Sequence, residues 1–166
     1  MTHSFTALAI ALMLSTLSSS VYASARSYDG WTSTYSRSSP LRACPKHCEL
    51  ITTSSQVYGV PSSLILAIIK QESNFNANAQ SHKGAKGLMQ LMDMNSTGID
   101  PFNPKENIER GTALLSRLLG QYDSIELALA AYNAGEGNVR KYGGIPPFKE
   151  TRNYIKKVMH YYQGYQ

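Results

Sequence analysis

The most informative side chain in this sequence is a glutamate at the end of an apolar helical segment. The sequence from Pro61 to Ser73 predicts a helix, since proline suits a first turn and apolar residues recur at helical spacing. Leu64, Ile68 and Glu72 follow one another at intervals of four, which places the carboxylate on an apolar face. A carboxyl group in apolar surroundings loses hydration, and its protonated form is favoured. The pattern therefore predicts a general acid that can donate a proton to a leaving oxygen near neutral pH.

A solvated glutamate is the competing interpretation of Glu72. Most glutamates near helix ends face water, and the polar neighbours Gln71 and Ser73 indicate a helix that emerges into solvent. The helix by itself leaves both interpretations open.

Four short blocks that follow one another along the chain extend the argument beyond this helix. They read "QESNF", "GAKGLMQLM", "AYNAG" and "KYGGIPPFKETRNY", and in this order they resemble the soluble lytic transglycosylases, relatives of goose-type lysozymes. The resemblance covers roughly Glu49 to Tyr162. It implies a mainly α fold: a lysozyme-like single domain of packed helices with at most a small β-hairpin. Such enzymes need no cofactor and cleave the β-1,4 bond between N-acetylmuramic acid and N-acetylglucosamine in peptidoglycan, leaving 1,6-anhydromuramic ends.

The same resemblance implies roles for individual residues. Glu72 matches the single catalytic acid/base of the family. Substrate-binding roles fall on seven further positions of the four blocks and the loop between them: Ser81, Gly87, Met89, Gln90, Tyr132, Asn133 and Tyr154.

Simpler structural roles are open for most of these positions. Gly87 suits a turn, and Asn133 ahead of a glycine suits the end of a helix. Met89 at helical spacing is typical of a core residue. Tyr132 and Tyr154 would both fit a core in which the hydroxyl finds a hydrogen-bond partner.

A second carboxylate would be required by an ordinary glycosidase, which uses one as acid and one as base or nucleophile. No other aspartate or glutamate shares the apolar setting of Glu72, and Glu150 is the best candidate for a secondary polar role. The resemblance implies that the substrate's acetamido group takes the place of the missing nucleophile. The alternatives are a hydrolytic goose-type muramidase and a non-catalytic peptidoglycan-binding module.

The chain divides into three segments by composition. Residues 1–23 contain a short apolar core followed by small residues, too short for a membrane span of about 20 residues, and predict a signal peptide. Residues 24–42 are rich in serine and predict a flexible lead segment. Residues 43–166 form the predicted catalytic domain. We therefore expect a periplasmic or secreted protein once the signal peptide is removed.

The overall charge of +5 favours anionic partners, and 42% hydrophobic residues are sufficient for a core. No basic block with interleaved aromatics is present, so nucleic acid is not expected. We expect the chain to bind peptidoglycan glycan strands and to be a monomer. A role in opening the wall for a secretion or conjugation apparatus also fits the small size of the chain.

Cys44 and Cys48 are the only cysteines, and in a helix this spacing places their Cα atoms about 6 Å apart, within disulfide range. Export favours a disulfide, while free thiols and a zinc site with His47 are the alternatives. The segment "DMNSTGID" begins like a calcium loop, but Pro104 stands where the final bidentate glutamate belongs. We therefore predict no metal site.

The remaining helices are predicted from caps and apolar periodicity. We expect helices at Cys48–Tyr58, around "GLMQLM", after Asn103 as part of a capping box with Glu106, from Ser124 to Gly135, and after Thr151 as N-cap.

Overall fold

A computed structural model describes residues 44–166 of the chain. The predicted signal peptide, residues 1–23, and the predicted lead segment, residues 24–42, lie outside the described residues. Within residues 44–166, no helix combines the length and the apolar character that crossing a membrane requires.

The described part of the chain folds as a set of packed helices. Residues 44–166 contain no strand. They contain two isolated antiparallel bridges, which pair Gln80 with Lys86 and Lys86 with Leu91. The prediction of a mainly α fold is confirmed. The six α-helices of residues 44–166 are α1 Cys48–Tyr58, α2 Ser62–Ser73, α3 Pro104–Gln121, α4 Ile125–Ala134, α5 Glu136–Tyr142 and α6 Lys149–Gly164.

Helix α2 is the centre of the core. Its residues 64–69 are all fully buried, which is the behaviour of a helix surrounded by others rather than one lying on a surface. It packs against α6 and α1, while α3 and α4 extend the core beyond them. The last turn of α2, residues 70–73, is only partly buried, so its side chains can leave the core and face a cleft.

Two predicted helix starts have the expected caps. The Asn103 side-chain oxygen accepts hydrogen bonds from the backbone N–H groups of Lys105 and Glu106, at 3.0 and 3.3 Å. The Ser124 hydroxyl oxygen accepts from the N–H of Leu127 at 3.2 Å. The capping box is only half formed, because the Glu106 carboxylate accepts from the N–H of Asp100, at 2.9 Å, instead of that of Asn103.

The predicted helix around "GLMQLM" is wrong. Residues 87–90 form turns, and Lys86 and Leu91 exchange backbone hydrogen bonds of 2.9 Å across them. Gly87 and Gln90 have left-handed φ values of 77° and 49°, which an α-helix cannot contain. The only helical residues nearby are a 3-10 turn at Asp93–Asn95.

The helices at the C-terminal end also differ from the prediction. Helix α6 begins at Lys149, so Thr151 lies within its first turn and is buried instead of capping it. Helix α5 was not predicted, and it follows α4 directly after Gly135, whose φ of 85° allows the chain to change direction. Short helices of this kind have too few residues for apolar periodicity to indicate them.

Cys44 and Cys48 form a disulfide with a Cα–Cα distance of 5.8 Å. Cys44 precedes α1 rather than belonging to it, and His47 between them has a left-handed backbone. In the described range, no group of three His, Cys, Asp or Glu side chains could hold a metal ion.

Candidate active site

The last turn of α2 determines where Glu72 points. The helix ends immediately afterwards, because Asn74 adopts a left-handed conformation and donates its backbone N–H to the Lys70 carbonyl at 3.2 Å. The Lys70 ammonium donates to the Asn74 side-chain oxygen at 2.6 Å, which fixes the turn. The Ser73 hydroxyl is used within the helix, where it donates to the Ile69 carbonyl at 3.1 Å. Glu72 and its neighbour Gln71 are the side chains of this turn that line a cleft.

That cleft has a volume of about 400 Å³ and brings together residues that are distant in sequence. Five of the eight predicted catalytic and binding residues line it: Glu72, Ser81, Gln90, Asn133 and Tyr154. The other four lining residues were not predicted to bind substrate: Gln71, Glu150, Asn153 and Lys157. The walls are the end of α2, the turn-rich segment after it, the end of α4 and the first turns of α6.

Glu72 has an unusual protonation equilibrium. Burial raises the pKa of its carboxyl from 4.5 to about 7, because the charged form loses hydration. The Tyr154 hydroxyl opposes this shift, and the negative charge of Glu150 adds to it; both effects are smaller than that of burial. A carboxyl group with a pKa near 7 exists in both forms at neutral pH, so it can donate a proton and later accept one.

Two tyrosines lie close to this carboxyl. Burial and, to a smaller degree, the charge of Glu72 raise the pKa of Tyr132 and of Tyr154 well above the usual value, so both hydroxyls stay protonated. The Tyr132 hydroxyl donates to the Met89 carbonyl at 2.8 Å. The Tyr154 hydroxyl is buried and makes no hydrogen bond of standard geometry within residues 44–166, although it lies near enough to lower the pKa of Glu72. This hydroxyl can therefore donate a hydrogen bond to the acid or to a molecule in the cleft.

The segment after α2 is fixed by its own hydrogen bonds. The Ser81 hydroxyl oxygen accepts from the N–H of Ala85 at 3.0 Å, which closes the turn between them. The Gln90 side-chain nitrogen donates to the carbonyls of Gly87 and Ala79, at 2.9 and 3.1 Å. Both amide donors of Gln90 are thus used, and its amide oxygen is the atom that can accept a hydrogen bond from a molecule in the cleft.

Gly87, Met89 and Tyr132 are the three predicted residues that are not among those lining the cleft. The Met89 side chain is fully buried, with its sulfur 3.9 Å from the Thr112 hydroxyl, because the turn directs it into the core. A Cβ atom on Gly111 would lie only 2.5 Å from that sulfur, so the glycine in α3 makes room for it. A Cβ atom on Gly87 would collide with the Asn107 side chain, which explains why a glycine is needed there.

Asn107 is a positioning residue that the sequence did not reveal. It is fully buried, and its side chain makes its hydrogen bonds to the turns beside the cleft. Its side-chain oxygen accepts from the N–H of Met89 at 2.8 Å, and its nitrogen donates to the carbonyls of Lys86 and Pro101, at 3.1 and 2.8 Å. The one available signal was a polar residue directly beside Ile108 on the apolar face of α3.

Glu150 is the second carboxylate of the cleft, and its setting differs from that of Glu72. It is exposed and forms an ion pair of 3.0 Å with Lys83, which also is exposed. The pair joins the first turn of α6 to the turn that contains Ser81. Within the cleft, one carboxyl is held out of water and the other is exposed and paired with a lysine.

The geometry and the fold together define a class: a helical, lysozyme-like domain with one desolvated acid in a polar cleft. The family model of the Transglycosylase SLT domain matches residues 49–155. The chain belongs to this family.

Known members show how far the similarity extends. The chain is 40% identical over 106 residues to membrane-bound lytic murein transglycosylase F from Desulfosudis oleivorans, covering 58% of this chain and 23% of the relative. It is 31% identical over 168 residues to membrane-bound lytic murein transglycosylase C from Sodalis glossinidius, covering 73% and 47%. The chain thus spans less than half the length of these curated relatives.

A solved structure supports the same fold. The X-ray structure of an inactive mutant of the lytic transglycosylase Slt from Pseudomonas aeruginosa matches with a TM-score of 0.67 and 34% identity. The match covers 72% of this chain and 24% of that one. The prediction of a lysozyme-like helical domain is confirmed.

Proposed function

We propose that this chain is a peptidoglycan lytic transglycosylase with Glu72 as its single acid/base. The bond cleaved is the β-1,4 linkage between N-acetylmuramic acid and N-acetylglucosamine, and the product carries a 1,6-anhydromuramic end. Membership of the SLT family supports the reaction class. The observation that carries the proposal is the carboxyl of Glu72, which lies in the cleft with a pKa of about 7.

The first step is cleavage of the glycosidic bond. Protonated Glu72 gives its proton to the bridging oxygen, which leaves as the C4 hydroxyl of N-acetylglucosamine. The acetamido carbonyl oxygen of the muramic residue bonds to the anomeric carbon as the bridging bond breaks. Asn133 and the Gln90 amide oxygen line the same cleft and can orient the acetamido group, since an amide N–H needs an acceptor.

The second step closes the anhydro ring. Ionised Glu72 takes the proton of the muramic C6 hydroxyl, and the C6 oxygen bonds to the anomeric carbon while the acetamido oxygen leaves. No water is consumed, and Glu72 regains the proton that it lost. An intramolecular hydroxyl has a high effective concentration, which favours it over water in a closed site.

The acidic residues that line the cleft favour this scheme over two-carboxylate hydrolysis. Among residues 44–166, Glu150 is the only other acidic residue that lines it, and Glu150 is exposed and paired with Lys83. A nucleophile or base for water would need a free carboxylate at a defined distance from the acid. The substrate's own groups replace it in the proposed mechanism.

Mass spectrometry of the products tests the proposal. Purified sacculi are digested with the protein, and the released muropeptides are weighed. We expect anhydromuropeptides, which are lighter by one water than the hydrolysis products. Hydrated reducing ends throughout would show a muramidase instead, and the absence of any release would favour a module that only binds peptidoglycan.

The cellular setting is part of the proposal. Peptidoglycan lies outside the cytoplasm, and residues 1–23 are predicted to be a signal peptide, so we infer that the chain acts in the periplasm or after secretion. We further propose that it acts as a monomer. Local opening of the wall for a secretion or conjugation apparatus stays a prediction from the sequence.

A further inference from the structure

We propose that Lys157 and Asn153 form a subsite for a carboxylate of the glycan substrate, next to Glu72. The inference rests on the proposed function, and it adds a residue that selects the substrate. The carboxylate belongs to muramic acid, either as its free lactyl group or within the peptide stem attached to that group.

The subsite follows from the spacing of four residues on α6. Counted from Glu150, the other three residues follow at positions +3, +4 and +7: Asn153, Tyr154 and Lys157. This spacing places all four on one face of the helix. All four line the cleft that contains Glu72. Tyr154 is buried beside the acid, so the helix face directs Lys157 to the same opening.

The charges of the cleft leave Lys157 without a counterion. Lys157 is exposed, and no carboxylate of residues 44–166 lies within ion-pair distance of it. Glu150, the negative residue on the same face, is engaged by Lys83 at 3.0 Å. Glu72 must be protonated when it acts as the acid. When Glu72 is protonated, the described part of the chain therefore places one unpaired positive charge in the cleft, on Lys157, and the amide of Asn153 one helical turn away can donate a second hydrogen bond.

The chemistry of the substrate supplies the complementary group. Muramic acid differs from N-acetylglucosamine by a lactyl ether that ends in a carboxylate, or in an amide where a peptide stem with its own carboxylates is attached. An ammonium and an amide N–H are suitable partners for a carboxylate, and the charged bond is stronger than a neutral one. A site with these partners would favour a muramic residue over N-acetylglucosamine at this position.

The neighbouring residue provides a matched control. Lys156 has the same charge as Lys157 and lies on the same helix. It is also exposed, but it does not line the cleft. Substitution of either lysine changes the net charge equally. A difference between them therefore reports the local contact rather than general attraction to an anionic polymer.

The experiment measures binding in the Glu72→Gln background, so that the substrate is not cut. Three glycans are titrated by calorimetry at low salt: murein strands with intact stems, strands from which an amidase has removed the stems, and chitin oligomers of similar length. We expect Lys157→Ala to weaken binding of a carboxylated glycan about fivefold. Lys156→Ala should stay within about twofold of the parent, and Lys157→Arg should restore binding.

The outcomes separate this inference from the proposed function. A loss only with stem-bearing strands assigns the stem carboxylates, and a loss only with stem-free strands assigns the lactyl group; either supports the subsite. Equal effects of Lys157→Ala and Lys156→Ala, or an equal loss with chitin oligomers, would overturn it while cleavage by the unmodified chain still stands. If the unmodified chain fails to cleave but the charge-dependent binding persists, the proposed function is wrong and the subsite is retained.

Discussion

Two glutamates at helix ends show opposite behaviour in this protein. Glu72 ends α2 in the cleft, where burial raises the pKa of its carboxyl to about 7. Glu136 begins α5, where a 2.6 Å ion pair with Arg117 lowers the pKa of its carboxyl; Arg140 contributes from 3.8 Å. The two side chains have the same chemistry, so the difference comes from their surroundings.

The comparison shows which feature makes a carboxyl group useful as an acid. Glu136 has two guanidinium partners and stays charged at neutral pH, which is useful for joining α5 to α3 but not for proton transfer. Glu72 has a tyrosine hydroxyl nearby and no cation in contact within residues 44–166. A carboxyl group removed from water without a cation keeps its proton to a higher pH.

The largest expected effect is on catalysis. Glu72→Gln keeps the shape of the side chain but cannot cycle a proton, so release of muropeptides from sacculi should fall by about a thousandfold or more. Glu136→Gln removes the same charge from a residue outside the cleft and should leave the rate within about twofold. Far-UV circular dichroism should be unchanged in both. Substantial cleavage by Glu72→Gln would mean that another group acts as the acid.

The next effect is the pH dependence of stability. The carboxyl of Glu72 has a pKa of about 7 when folded, against 4.5 as the ordinary value, so the folded state binds the proton more tightly. The contribution of this carboxyl group to the free energy of unfolding is fully present below about pH 4.5 and is lost as the pH rises through 7. Ionisation of the folded protein should then cost about 3 kcal/mol, the free energy equivalent of this shift.

Glu72→Gln has no such cost. Relative to the unmodified chain, the variant should therefore gain about 3 kcal/mol in free energy of unfolding between pH 4 and pH 8, as measured by urea denaturation. A difference between the two proteins that does not vary with pH would show that the carboxyl group is hydrated in the folded state.

The smallest expected effect concerns Glu136. Its lowered pKa means that the ion pair stabilises the fold above the ordinary pKa of a glutamate and is lost as the pH falls through the lowered value. Glu136→Gln should reduce the free energy of unfolding by at most about 1 kcal/mol at neutral pH, and by less in 1 M salt. Thermal unfolding at the two salt concentrations measures this. A loss as large at high salt as at low salt would argue against a surface ion pair.

The helices that have strong local sequence signals were predicted correctly. The bounds of α1 and the caps at Asn103 and Ser124 agree with the structure, because a cap and a glycine stop act within a few residues. The helix expected around "GLMQLM" is wrong for the opposite reason. Its apolar residues satisfy a helical pattern, but the buried amide of Asn107, contributed by α3, holds the segment in turns.

Some residues of the candidate site were predicted from the sequence and others were not. Glu72 and Tyr154 line the cleft, while the Met89 side chain is in the core. Asn153 and Lys157 were missed because a polar residue on a partly buried helix looks solvated until the opposite wall of the cleft is known.

The sequence alone determined the helical class, the helix that carries Glu72 and the apolar face on which this residue lies, since each depends on spacing and caps within a few turns. Only the tertiary structure decided the protonation of Glu72, because desolvation depends on the α4 and α6 residues that surround the carboxyl. It also decided which of two adjacent lysines faces the cleft, because that depends on how α6 packs against α2.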